Sequence, residues 1–138
     1  MHRPFHYAFK VSDIASTRRF YIDLLGCKEG RSTDHWIDFD FWGNQLSAHI
    51  SSDLPALDYC GTVDGVAVPI PHFGCIVPLE IFRDIEVRLV DAGVKFVVPS
   101  QVRYEGKPGE QWTMFFLDLS GNPIELKAFK NEAEVFAS

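Results

Sequence analysis

The chain repeats itself once, and that duplication limits what it can fold into. His6-Tyr-Ala-Phe-Lys-Val11 and His72-Phe-Gly-Cys-Ile-Val77 each open on a histidine, continue as a short apolar run and end on a valine. A helix signal follows each run. Ser12-Asp13 is an N-cap pair ahead of Ile14, Thr17, Tyr21, Leu24 and Leu25 at helical spacing, and Gly26 stops the pattern. In the second copy Pro78 starts the helix, Phe82, Ile85, Leu89 and Ala92 recur on one face, and Gly93 stops it. The two stop glycines fall at nearly equal distances after the two histidines.

Stretches rich in Phe, Trp, Val and Ile follow in both halves and read as strands: 27–33, 36–42 and 45–51, then 95–98, 112–118 and 123–129. Asp40-Phe-Trp-Gly-Asn44 and Asp118-Leu-Ser-Gly-Asn122 separate the last two strands of each half, with the Gly and Asn that a tight turn favours. The second copy is the longer, and the extra residues fall in 99–111, a Gly- and Pro-rich loop suited to an excursion over a site. The order in each half is βαβββ. Module one covers 5–51 and module two covers 72–129. Residues 52–71, with Pro55, Gly61, Gly65, Pro69 and Pro71, read as a linker, and 130–138 as a short helical tail. The expected class is α+β: two βαβββ modules forming a curved mixed sheet around a cleft.

Side-chain alternation then assigns faces. Tyr7, Phe9 and Val11 are the bulkier set and pack under the first helix, leaving His6, Ala8 and Lys10 toward the cleft. The same parity puts Phe73, Cys75 and Val77 under the second helix, with His72, Gly74 and Ile76 on the open face. On the last strand Ile124, Leu126 and Ala128 alternate with Glu125 and Lys127. A carboxylate on the cleft face needs a partner, because an isolated buried charge is costly. Two imidazoles and a carboxylate around one divalent ion would meet that need.

The segments 5–26 (Phe5-His-Tyr-Ala-Phe-Lys-Val-Ser-Asp13, then Arg19-Phe-Tyr-Ile-Asp-Leu-Leu-Gly26) and 118–126 (Asp-Leu-Ser-Gly-Asn-Pro-Ile-Glu-Leu) resemble the opening and closing strands of vicinal-oxygen-chelate modules. That superfamily takes in glyoxalases, bleomycin resistance proteins and extradiol dioxygenases. The resemblance implies one divalent metal ion per site (nickel, zinc, manganese or iron), with His6, His72 and Glu125 as ligands. It adds His49, on the last strand of the first module, as the fourth. Aligning the two turns, however, places Glu125 opposite Ser47, two residues short of His49 on the same face.

The chemistry implied is Lewis-acid stabilisation of an enolate or oxyanion on a small molecule with adjacent oxygens. In a glyoxalase-like lyase or isomerase Glu125 would be ligand and base together. The alternatives are an extradiol-type dioxygenase, whose iron triad the same three residues would form, and a non-catalytic drug-binding protein. Arg103 and Tyr104 on the long loop are the expected substrate contacts.

The net charge of −6 argues against nucleic acid as partner. No apolar run long enough to cross a membrane is present, and three cysteines without paired spacing offer no disulfide framework. The expected setting is cytoplasmic and the expected assembly a homodimer, since small open sheets leave edges to cover.

Overall fold

The computed structural model describes every residue except Met1 and Pro55, so the Pro55 cited for the linker lies outside the described residues. In chain order the elements are β1 (His6–Val11), α1 (Ile14–Arg18) running into π-helical turns over Arg19–Leu24, β2 (Lys28–Ser32), β3 (Trp36–Phe41), β4 (Asn44–Ile50), β5 (Gly61–Val63), β6 (Val66–Val68), β7 (Phe73–Ile76), α2 (Leu79–Asp91), β8 (Phe96–Arg103), β9 (Gln111–Leu117), β10 (Pro123–Phe129) and a 3-10 turn at Glu132–Glu134. Two four-stranded sheets share one topology, β1-β4-β3-β2 and β7-β10-β9-β8. In each, the first strand pairs in parallel with the last and the others are antiparallel. The twin βαβββ order expected from the repeat is what forms.

The chain groups into two compact units, Met1–Ala56 with Asp118–Asn122, and Leu57–Leu117 with Pro123–Ser138. In the first, Phe9 and Val11 on β1, and Ile37, Phe39, Phe41, Leu46 and Ala48 on β3 and β4, bury their side chains with Phe20, Tyr21 and Leu25 of the helix. Asp13 caps α1, its carboxylate accepting from Ser16 N at 2.7 Å and Ser16 Oγ at 2.6 Å. The helix departs from simple periodicity: Leu25 N donates to Phe20 O and Cys27 N to Tyr21 O, wider turns than α-helical ones. This widening makes Phe20 and Tyr21 neighbours in the core, both fully buried, whereas Leu24 is only half-buried. In the second unit Phe82, Ile85 and Leu89 of α2 are fully buried, as are Ile124, Leu126 and Ala128 of β10. Ala92, expected on that face, caps the helix end and is exposed.

Three sequence expectations are corrected. The strand expected at 95–98 runs to Arg103, which pairs with Gln111 on β9, so the excursion shrinks from 99–111 to the residues after Arg103. Register shifts along that strand break the alternation that would have betrayed its length. The linker contains a hairpin, β5–β6, turned by Asp64 (φ 47°) and Gly65 (φ 82°). Asp-Gly between valines is the left-handed pair that a two-residue hairpin favours. The tail forms only the single 3-10 turn, capped by Asn131 accepting from Ala133 N at 3.1 Å.

The turn Asp118–Asn122 is tied into the first unit by several hydrogen bonds: Tyr21 Oη donates to Asp118 Oδ2 at 2.8 Å, Ser12 N to Ser120 Oγ at 2.9 Å and Asn122 Nδ2 to Lys10 O at 2.9 Å. Asp118 also accepts from Ser120 N, Asn122 N and Asn122 Nδ2. Burial raises the Asp118 carboxyl above its ordinary value, and the bonds from Asn122, Tyr21 and Ser120 hold it down. A raised carboxyl favours the folded state while protonated, so this group's contribution to stability falls as pH climbs from the ordinary carboxylate range through the raised value. Tyr21→Phe removes one of the bonds that hold it down. The substitution should cost about 1–3 kcal/mol at neutral pH and extend that decline to higher pH. Urea unfolding across pH 4–8, read for both proteins, checks the slope.

Candidate functional site

Glu125 sits mid-strand on β10, opposite Gly74 on β7 and Phe115 on β9. Only 9% of it is exposed. His72 lies just ahead of β7 on the same face, and its Nε2 is 3.4 Å from Glu125 Oε1. The far side of the ring fixes its proton. His72 Nδ1 is 2.8 Å from the carbonyl oxygen of Pro69, which can only accept, so Nδ1 carries the hydrogen. Phe115 meets the ring edge-on, with centroids 4.6 Å apart, and sets its plane. In the neutral ring, therefore, the Nε2 lone pair faces a carboxylate oxygen. Two acceptors at that separation require either a second proton or a cation between them.

The spacing suits a cation. An ion holding donors tetrahedrally at about 2.0–2.1 Å keeps neighbouring donors about 3.3–3.4 Å apart. The bond from Nδ1 to a backbone carbonyl is the outer contact that metal-binding histidines usually make. The pair opens on a surface cavity of about 410 Å³ that Gly74, Ile76 and Lys127 also line.

Gly74 is part of how the pair is made. A Cβ placed there would meet the Glu125 carbonyl oxygen at 1.6 Å. The backbones of β7 and β10 thus approach too closely for any other residue.

His6 lies in the first unit, at the equivalent point of β1. Its Nδ1 is 2.8 Å from Gln45 Oε1, which leaves Nε2 free on an exposed ring. The twin of the Gly74–Glu125 pairing is Ala8 opposite Ser47. Ser47 thus stands where a second glutamate would be, and it donates to Asp38 Oδ1 at 2.6 Å. His49 is two residues further along, opposite Lys10, with its ring tilted against Trp36 at 6.3 Å. The first unit does not bring His49 and His6 together: their strand positions are four residues out of register, about 13 Å along the sheet. Among the described residues no three His, Cys, Asp or Glu side chains form one group spaced to hold a metal.

Arg103 ends β8 with its side chain largely covered, 19% exposed, and Tyr104 follows in a left-handed conformation (φ 54°). Arg103 Nη2 donates to Tyr104 Oη at 3.3 Å, and its guanidinium lies over the Tyr104 ring. Sequence reasoning gave no role to two further polar residues of this region. Lys127 shares the open face of β10 with Glu125, a parity visible in the sequence, and Gln111 is buried at the start of β9.

The same architecture occurs in solved structures. A glyoxalase/bleomycin resistance protein/dioxygenase from Alicyclobacillus acidocaldarius is 28% identical over 98% of this chain and 97% of its own, with a TM-score of 0.76. The chain has the fold of the vicinal-oxygen-chelate superfamily, to which these neighbours belong. Fosfomycin resistance protein FosX from Listeria monocytogenes shares the fold at a TM-score of 0.72 and 19% identity, covering 98% of this chain and 99% of its own. A glyoxalase family protein from Enterococcus faecalis does so at 0.65 and 22%, covering 91% and 96%. No family model matches the chain, and no curated protein matches its sequence.

Gly74→Ala should push β7 away from β10 and separate His72 from Glu125. The expected outcome is a loss of about 2 kcal/mol or more of stability, the overpacking range, together with weaker zinc binding. Ala8→Gly, at the twin position, should leave zinc binding as it was. Thermal unfolding and a zinc titration of both variants make the comparison.

Proposed function

We propose that this protein is a divalent-metal-dependent enzyme, a glyoxalase-like lyase or isomerase acting on a small molecule with adjacent oxygen atoms. The observation that carries the reading is the pair itself, His72 Nε2 facing Glu125 Oε1 at 3.4 Å while His72 Nδ1 lies 2.8 Å from the Pro69 carbonyl oxygen. His72 and Glu125 would hold the ion, and His6, the twin of His72 with Nε2 free, would be the third ligand. Ser47 at the twin of Glu125 speaks against a fourth ligand from β4, so His49 is left out of the set. The bound ion would supply Lewis acidity, lowering the energy of negative charge on a substrate oxygen.

The chain's own residues do the rest. Glu125 would balance the ion's charge and would be the base that takes a proton from the neighbouring carbon of the substrate. Phe115 and Pro69 fix the imidazole so that its lone pair needs no reorientation. A second reading, an extradiol-type dioxygenase, is favoured by the donor set, since two histidines and one carboxylate with open positions also suit ferrous iron.

Purified without chelator, the protein should carry about one metal ion per site. Nickel, zinc or manganese supports the lyase or isomerase and iron the dioxygenase, while no metal would leave a small-molecule binding protein. His6→Ala, His72→Ala and Glu125→Gln should each weaken metal binding by about tenfold or more. Glu125→Gln should cost most in turnover, because it removes charge and base together.

We further propose a cytoplasmic homodimer. Among the described residues no helix is long and apolar enough to cross a membrane. Each small sheet leaves edge strands, and Val87 and Val90 on α2 are exposed. Light scattering that returns the 15.7 kDa monomer at micromolar concentration would end the dimer reading. Mixing His6→Ala with Glu125→Gln chains assigns the third ligand. Recovered metal binding means that His6 comes from the partner subunit, and none means that each chain completes its own site.

A further inference from the structure

A second cavity, of about 350 Å³, lies against the one that holds His72 and Glu125, and Lys127 lines both. Arg103 and Gln111 line the second cavity as well. The three side chains are in unusual states for a surface depression. Lys127 takes part in none of the ion pairs among the described residues. Asp64 Oδ2 lies 3.0 Å from Arg103 Nε, close enough for an ion pair but off the N–H direction, so that buried Nε–H has no hydrogen bond. Gln111 is only 6% exposed; its Nε2 donates to Gly109 O at 3.2 Å, while its buried Oε1 has no partner. The amide cannot be turned to relieve this, because the oxygen would then face the Gly109 carbonyl.

A buried acceptor without a donor costs about 1–3 kcal/mol, and such a group in a cavity wall is explained if a ligand supplies the donor. The acidic residues nearby are engaged elsewhere, so Lys127 Nζ and the Nη edge of Arg103 keep donors that those carboxylates do not use. Both oxygens of Glu134, which also lines the cavity, are taken by Gly109 N at 2.9 Å and Asn131 Nδ2 at 3.2 Å. Asp64 is engaged on the Nε edge of Arg103 and by Gln101 Nε2 at 3.2 Å.

Resting on the metal-site reading, we propose that Arg103, Lys127 and Gln111 bind the far end of the substrate, and that this end is a carboxylate with a hydroxyl on the adjacent carbon. The carboxylate meets Arg103 and Lys127, and the hydroxyl donates to Gln111 Oε1. Glu125 and Lys127 are neighbours on one face of β10, about 6.5–7 Å apart along the strand. The substrate is then a short hydroxylated dicarboxylic acid: one end offers adjacent oxygens to the ion, the other fills this subsite.

Three probes separate the parts. Tartrate carries both ends, glycerate lacks the far carboxylate, and malate lacks one hydroxyl. Calorimetric titration, with zinc and without, should show tartrate binding roughly tenfold or more tighter than glycerate, and severalfold tighter than malate. Arg103→Gln and Lys127→Gln should bring tartrate down to the glycerate level, while Arg103→Lys keeps the preference. Gln111→Leu should bring tartrate to the malate level. Equal affinity for tartrate and glycerate overturns the inference, as does no binding of either, or a preference that survives both charge-removing variants. If the preference holds in metal-free protein but zinc strengthens neither probe, the metal reading fails and the subsite stands.

Discussion

A carboxylate and an imidazole lone pair held face to face inside a sheet are unstable company, and much of the second unit is arranged to keep them there. Glu125 is nearly buried, and its closest polar neighbour offers it no hydrogen while the ring is neutral. Leaving such a pair unresolved costs more than most single contacts supply. The chain holds it through a carbonyl that pins His72, a phenyl ring that sets the ring plane, and a glycine that lets two backbones approach. Each lies outside the His72–Glu125 pair and each fixes one of its degrees of freedom.

The duplication shows what this arrangement demands, because the first unit keeps the scaffold without it. There Ala8 and Ser47 replace Gly74 and Glu125 at the same register, and the serine hydroxyl finds Asp38. The histidine survives at the twin position, its proton side held by an amide rather than by the backbone. Two copies of one topology thus carry one complete pair. The asymmetry is written in small residues rather than in the strands or helices.

How much of this was legible follows from the range of the signals. The repeat, the alternation on β1, β7 and β10, and the capped helices are local patterns, and they gave the class, the order and the shared face of His72 and Glu125. Comparing the two turns already put Ser47 opposite Glu125, and the paired register agrees. What stayed hidden depends on contacts distant in sequence. The burial of Phe20 needs the widened helical turns, the length of β8 needs its partner β9, and the unpartnered Gln111 carbonyl needs the packed cavity. The Asp64-Gly65 hairpin was readable from its turn residues, but the surrounding prolines and glycines masked it.

That hairpin lies outside the His72–Glu125 pair, and its turn residue Asp64 sits against the guanidinium of Arg103. A sequence change confined to so exposed a tip leaves in place the flanking Val63 and Val68, which pack with Val98 and Phe115, and costs little stability. It would nonetheless re-aim a cation. A short ribbon thus sets the direction of a guanidinium from outside the His72–Glu125 pair, and its sequence can change while that pair is left alone.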